Sequence, residues 1–265
     1  PYSHSFSPAG GGVLSPQLST DESFWPRVEE CIYEAETRPK VLFLNFPHNP
    51  STATVDRSFF ETAVDFAHEH DLFVVHDFAY SHITFGDYEA PSFLQVDGAK
   101  EIGVEFTSMS KSFNMAGWRV GFCVGNPEAV GALVRLKAYY DYGLFMPVQI
   151  ATIIALRHCL NEADKQAKIY EQRRDVLCEG LQRIGWPVEK PQATMFVWAP
   201  IPEPYKDVDT VDFAMKTLEE ANVAVAPGGA FGPGGEGYVR LALVENELRL
   251  KQAVRQLKRN LDLES

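Results

Sequence analysis

Apolar residues along this chain gather into short continuous runs, separated by stretches whose apolar positions recur at helical spacing. Val41-Leu42-Phe43-Leu44, with Pro39 before it and Pro47 after it, predicts a buried strand. Asp56 reads as the N-cap of a helix through His70, with Phe59, Phe60, Ala63, Phe66 and Ala67 on one face. Leu72 to Val75, Val104 to Met109, and Val120 to Val124 after the Gly117 break predict further strands. Continuous apolar strands alternating with helices indicate an α/β fold with a mostly parallel sheet covered on both faces.

From Pro147 the pattern is that of a long helix. Pro147 suits a first-turn position, and Ile150, Ile153, Ile154 and Leu160 recur after it. A charged helical stretch runs from Asp164 to about Ile184 and stops at Gly185. Beyond it, strand-like runs near Val188 and at Met195 to Trp198 precede a helix from about Val208 to Ala221. Strands at Val223 to Val225 and Tyr238 to Leu243, then a helix from Glu247 to Leu261, complete a smaller α/β unit. There is no internal repeat. The expected organisation is a large domain over 1–165 and a small C-terminal domain over 166–265, with helix rather than a loose linker between them.

Composition narrows the function classes. Of the 265 residues 45% are hydrophobic and 23% charged, so a sizeable core can be buried. The net charge of −12 argues against nucleic acid or an anionic membrane as a partner. No apolar run approaches the length of a membrane span and no signal peptide opens the chain. Cys31, Cys123, Cys159 and Cys178 are scattered, which fits reduced thiols and a cytoplasmic location, with no metal site. Pro1 to Ser19 is rich in Ser, Pro and Gly and reads as the interior of a domain.

Four segments carry candidate chemistry. Asn45-Phe46-Pro47-His48-Asn49-Pro50-Ser51 follows the first strand, and its prolines stiffen a loop holding Asn49 at the carboxyl edge of the sheet, where ligands of open α/β sheets bind. His76-Asp77-Phe78-Ala79-Tyr80 begins where the next strand ends. A carboxylate there can pair with a protonated ring nitrogen, and a phenol beside it can donate to a ring oxygen. Ser108-Met109-Ser110-Lys111 puts a lysine among hydroxyls, eight residues before Arg119. Such a lysine can form a Schiff base with an aldehyde and then carry a proton as base. The serines and Arg119 suit a phosphate dianion, which a guanidinium binds with paired charge-assisted bonds. Arg240 interrupts the alternating apolar run Tyr238 to Leu243 and needs an anion, either a substrate carboxylate or an internal Asp or Glu. Singly, each segment also reads as ordinary structure: a turn, a helix cap with a packed tyrosine, a surface lysine, an internal ion pair. His48 and His82 read as loop or packing residues.

Together, in this order and spacing, the segments resemble the class I/II aminotransferases of pyridoxal 5′-phosphate (PLP) fold type I over nearly the whole chain. Asn-x-Pro-x-Asn-Pro-Ser falls on 45–51, Asp-x-x-Tyr on Asp77 and Tyr80, and Ser-x-Ser-Lys with its later Arg on Ser108 through Arg119. The stretches around His76-Asp77, Ser110 to Arg119 and Tyr140-Asp141-Tyr142-Gly143 are similar to bacterial alanine (glutamate–pyruvate) transaminases, which shade into LL-diaminopimelate aminotransferase-like proteins. The resemblance implies PLP as cofactor: Asn49 and Tyr80 at the ring oxygen, Asp77 at the ring nitrogen, Lys111 at the aldehyde carbon, and Ser108, Ser110 and Arg119 at the phosphate. Arg240, with Asn49, would bind the substrate α-carboxylate. It further implies ping-pong transfer from an amino acid, alanine-like, to a 2-oxo acid such as 2-oxoglutarate, in a homodimer with Tyr139 to Met146 at the interface.

Relatives of this kind carry a further phosphate-binding Gly-Ser loop and a ring-stacking aromatic. The aromatic position falls near Tyr2 and the loop before it, so the large domain is expected to be N-terminally incomplete and its isolated activity reduced. Three other readings stay open: an LL-diaminopimelate or other amino acid aminotransferase, a carbon–sulfur lyase of the same fold type, and the PLP-binding sensor domain of a transcription regulator.

Overall fold

A computed structural model describes residues 10–18 and 23–263. Tyr2 lies outside them. The first helix, α1 (Phe24–Glu34), buries Phe24 and Val28. Strand β1 (Val41–Asn45) follows, then α2 (Arg57–His70), whose first turn is capped by Asp56 Oδ1 accepting from the Phe59 amide at 3.1 Å. Asp71, in the left-handed conformation, ends α2 and turns the chain into β2 (Phe73–Asp77). Strand β3 (Gly103–Ser108) runs parallel to β2, and β4 (Gly121–Gly125) closes the four-stranded sheet in the order β1-β2-β3-β4.

The first three strands are parallel and β4 is antiparallel to β3. The connection between them, residues 109–120, holds only the short helix Met109–Ser112 and the 3-10 turn Ala116–Trp118, not the covering helix of a parallel crossover. It returns the chain beside β3 in the opposite sense. Glycine at Gly125 permits the close pairing. Its φ is +133°, and a Cβ there would stand 2.4 Å from the Gly103 carbonyl oxygen. The core beneath β1 and β2 is aromatic and aliphatic, with Phe60, Phe93, Val74 and Ala63 sealed from solvent. Each such phenylalanine contributes about 1.5–3 kcal/mol through its burial.

Helices α3 (Pro127–Tyr140), α4 (Met146–His158) and α5 (Leu160–Arg183) come next. Pro147 occupies the first turn of α4, as its sequence position predicts. Helix α5 begins earlier than Asp164 and runs unbroken to Arg183, and its distal half packs Leu177, Cys178 and Leu181 into a second core. That core is completed by β5 (Phe196–Pro200), α6 (Thr210–Ala221), β6 (Ala226–Pro227), β7 (Tyr238–Ala242) and α7 (Glu247–Asn260). The second sheet is antiparallel, in the order β5-β7-β6.

Several expected elements differ. Helices α1 and α3 are present where no helix was anticipated, and no α3 residue is buried. The Val188 run is not a strand, since Pro187 and Pro191 cannot donate ladder bonds on either side of it. The strand expected at Val223 to Val225 starts at Ala226, because α6 ends on left-handed Asn222 and the chain meets β7 only there. Tyr80, Ile83 and Phe85 leave the first sheet and join the second core, so the segment after Asp77 ties the two sheets together.

Candidate active site

Strand register builds one edge. Asn45 pairs with Asp77, and Asp77 with Phe106, so the carboxyl ends of β1, β2 and β3 stand at one level. Ser108 pairs with Gly121, which brings the start of β4, and Arg119 just before it, to the same edge. Asn49, Asp77, Tyr80, Ser108, Ser110, Lys111 and Arg119 therefore all follow or flank strand ends on one side of the sheet, the side where open α/β sheets hold ligands.

Asn45 ties the first two segments. Its Nδ2 donates to the Asp77 carbonyl at 2.8 Å, and its Oδ1 accepts from the Asn49 amide at 3.1 Å. Asn49 Oδ1 in turn accepts from Arg240 Nη1 at 2.6 Å, across 191 residues of sequence. The Arg240 guanidinium lies over two rings, 4.1 Å from the Phe196 centroid and 4.5 Å from that of Phe231. Burial lowers its pKa, with the Tyr80 phenol acting the other way. Among the described residues no carboxylate forms an ion pair with Arg240, so the internal Asp or Glu left open on the sequence is not there.

Tyr80 is buried, and desolvation pushes its pKa to about 12, with Arg240 pulling it down and Asp77 pushing it up. The phenol thus stays a neutral donor at ordinary pH, within electrostatic reach of both charged groups. Asp77 Oδ1 accepts from the Ala79 amide at 3.2 Å, which fixes one face of the carboxylate. Lys111 is half-buried in the single helical turn Met109–Ser112, whose first turn is capped by Ser108 Oγ accepting from the Ser110 amide at 3.1 Å. Arg119 is exposed and left-handed, at φ +54°, an uncommon conformation for a residue with a Cβ. Its Nη1 donates to the Ala116 carbonyl at 3.0 Å.

The structure thus joins Asn49, Asp77, Tyr80 and Arg240 through contacts and fields, and brings Ser108, Ser110, Lys111 and Arg119 to their edge through register. It does not close the serines and Arg119 into a cradle, since the guanidinium bonds to its own turn. The sequence alone assigns no role to Asn45, Phe196 or Phe231. Asn45 stood inside a quoted motif, whereas the two phenylalanines reach Arg240 only through tertiary packing. His48 bonds its neighbour Ser51, Nδ1 to Oγ at 2.7 Å, and His82 bonds Ser81 at 2.9 Å, so both serve their own loops.

A model of the family "aminotransferase class I and II" matches residues 1–257. The chain belongs to this family. Class I and II aminotransferases use PLP, and the acid, phenol, lysine, hydroxyls and guanidinium on this edge form a donor set that suits it. Among curated relatives, the chain is 47% identical over 253 residues to the glutamate–pyruvate aminotransferase AlaC of Escherichia coli K12, covering 94% of this chain and 61% of that protein. It is 42% identical over 251 residues to the LL-diaminopimelate aminotransferase of Moorella thermoacetica, covering 95% and 64%. Among solved structures, substrate-bound BacF of Bacillus subtilis superposes with a TM-score of 0.83 at 36% identity, covering 89% of this chain and 59% of that one. A Thermus thermophilus aspartate aminotransferase double mutant gives 0.84 at 31%, covering 96% and 65%. The aminotransferase fold, PLP fold type I, is thereby shared. The chain spans about three fifths of the length of the curated relatives it matches.

Proposed function

We propose that this protein is a PLP-dependent transaminase moving the amino group of an alanine-like amino acid to a 2-oxo acid such as 2-oxoglutarate. One observation carries the reading: a half-buried arginine with no carboxylate partner among the described residues, oriented by Asn49 and two aromatic faces, beside a Tyr80–Asp77 pair. Its remaining N–H groups suit a substrate carboxylate, bound through the planar fork.

When bound, PLP supplies an electron sink for the charge developing at substrate Cα. This chain's residues do the rest. Lys111 would hold the cofactor at its aldehyde carbon, and its amine would serve as the base that moves the proton at substrate Cα. Asp77 would pair with the ring nitrogen and favour its protonated form by charge. Tyr80, neutral at working pH, and Asn49 donate toward the ring oxygen. Ser108, Ser110 and Arg119 would hold the phosphate, with Arg119 turned from its bond to Ala116. Arg240 and Asn49 orient the α-carboxylate. The domain division at 165/166 belongs to the same reading, as does a homodimer in the cytoplasm. No helix among the described residues is long and apolar enough to cross a membrane.

The 42% identity to an LL-diaminopimelate aminotransferase favours a second reading of the substrate alone. Steady-state rates on the protein, for alanine and for diaminopimelate with 2-oxoglutarate, separate the two. Alanine is expected to be preferred; preference for diaminopimelate overturns that choice. Pyruvate and ammonia released from a thioether amino acid without any 2-oxo acid would point to lyase chemistry instead. A visible absorbance band of lysine-bound cofactor is expected, and its persistence in Lys111→Ala would sink the lysine assignment.

A further inference from the structure

Directly behind Asp77 lies a buried histidine–glutamate pair that the proposed reaction does not use. His76 is sealed from solvent, and Glu105, its cross-strand partner on β3, is 6% exposed. His76 Nδ1 stands 3.0 Å from Glu105 Oε2. On its other edge the ring meets the Phe46 backbone through Nε2, 3.0 Å from the carbonyl oxygen and 3.4 Å from the amide. The shorter contact favours Nε2–H as donor to the carbonyl. Glu105 also accepts from Ser92 Oγ at 2.9 and 3.0 Å and from the Phe93 amide at 2.9 Å. The faces of the imidazole are closed by Phe60 and Phe78, with centroids 4.8 and 5.0 Å away. The carboxylate and both ring nitrogens are therefore bonded, and their burial makes a lost partner costly.

For stability alone, such a pair is a poor use of a core position. Desolvating two ionisable groups costs several kcal/mol each, about as much as their attraction returns, and well-packed apolar residues often do as well or better. What the pair adds is direction. It spans three adjacent strands: Phe46 just beyond β1, His76 as the penultimate residue of β2, and Glu105 within β3, across from His76. Phe46 opens the loop that carries Asn49, and His76 immediately precedes Asp77. The backbone ladder runs past this level, through Asn45–Asp77, Asp77–Phe106 and the Phe78 amide to the Phe106 carbonyl. Phe46 lies outside it, so the His76 bond to the Phe46 backbone, beside the Asn45 side-chain bonds, ties the loop after β1 to β2 and β3.

We propose that His76 and Glu105 are positioning residues, which hold the Asp77 carboxylate and the Phe46–Asn49 loop at a fixed height relative to each other at the cofactor edge. The proposal rests on the reading of Asp77 as the ring-nitrogen partner, but part of its test does not.

The experiment compares the unsubstituted protein with the doubly apolar variant His76→Phe with Glu105→Leu, and with the conservative Glu105→Gln, which keeps size and an acceptor. In cofactor-free protein, amide hydrogen exchange at residues 46–50 and 77–80 is expected to speed up at least roughly tenfold in the apolar variant. Its melting temperature should fall, since the Phe46 carbonyl and the Phe93 amide lose their partners, so the acceleration is read against residues 60–67 of α2, which should not share it. In the PLP-loaded protein the cofactor should bind about tenfold more weakly, on the scale of outer-shell partners elsewhere. The pH midpoint of its visible band should also shift. Glu105→Gln should lie between the two in every readout. Should the apolar variant fail to fold, Glu105→Gln carries the same readouts alone. Unchanged exchange at these residues and an unchanged band titration, in a variant that folds, overturn the proposal and leave the pair a structural one. Absence of any cofactor band in the unsubstituted protein would instead remove the functional reading, while the exchange result still decides whether the pair sets the strand ends.

Discussion

Arg240 pairs a permanent charge with a half-buried position, and its environment specifies what can satisfy it. Phe196 and Phe231 take its faces and Asn49 takes one Nη, leaving an edge of the guanidinium for a planar anion. Arg240→Gln removes the charge yet keeps an amide near Asn49. Losing one partner of a desolvated pair costs about 2–5 kcal/mol, so kcat/KM for the amino donor should fall roughly 100-fold or more. The absorbance band of bound cofactor should persist, since Arg240 is assigned to substrate; equal rates in variant and parent would reject the assignment. His48 makes a different claim. Burial lowers its pKa to about 4, from the 6.5 of an exposed imidazole. Its folded pKa is depressed, so the unfolded chain binds the proton more readily between those values. The stability it contributes is complete above about pH 6.5 and is lost as pH falls through 4, on the order of 3 kcal/mol in all. His48→Asn retains an acceptor for Ser51 and removes the titration. Melting curves from pH 7 to pH 4.5 should therefore be flatter for the variant, and parallel curves would show that His48 does not contribute this slope.

At the scale of elements, the Arg240 clamp depends on one turn. Phe231 reaches the guanidinium from the 3-10 turn Gly228–Phe231, which packs against the Gly235–Tyr238 backbone more closely than any side chain allows. A Cβ on Gly228 would stand 2.0 Å from the Gly235 carbonyl oxygen and 2.5 Å from that of Tyr238. Gly228→Ala must push the turn away from β7, a change that costs about 1–3 kcal/mol by overpacking. A lower melting temperature together with a raised KM for the amino donor is expected, and loss of stability with KM unchanged would mean that Phe231 does not orient Arg240. Nothing in the run Pro227 to Gly237 announces this role, because the contact joins residues distant in sequence. Legibility follows the same division elsewhere. Strands β1, β2 and β3 could be read from their runs because they are buried, and the segments after them because the site's residue types recur at strand ends. Helix α3 could not be read, since it buries none of its residues and so lacks a contrasting face. The antiparallel sense of β4, the place of Tyr80 in the second core, and the His76–Glu105 bond are products of chain reversal and register, which a one-dimensional pattern does not encode.

The absent contrast in α3 is itself informative at the scale of the molecule. Helix α3, the turn after it and the start of α4 present Tyr139, Tyr140, Tyr142, Phe145 and Met146 to solvent, with Tyr142 93% exposed and Phe145 72% exposed. Ile150, Ile153 and Ile154 continue the apolar surface along α4. A cluster of this size is unusual on a monomer surface and marks a contact site, and the aromatic content is that of interface cores. The expected occupant is a second copy of the chain, related by a two-fold axis so that the same patch meets itself. Tyr142 and Phe145 lie in the turn joining α3 to α4, where a charge alters no buried packing within the chain. The variant Tyr142→Glu with Phe145→Glu should therefore fold with an unchanged circular dichroism spectrum. Sedimentation equilibrium should report a dimer for the unsubstituted protein and mostly monomer for the variant, with dimerisation weakened by the cost of burying unpaired carboxylates. A dimer of equal affinity in the variant would place the interface elsewhere on the surface, and a monomeric parent at tens of micromolar would leave the exposed aromatic face to a different partner.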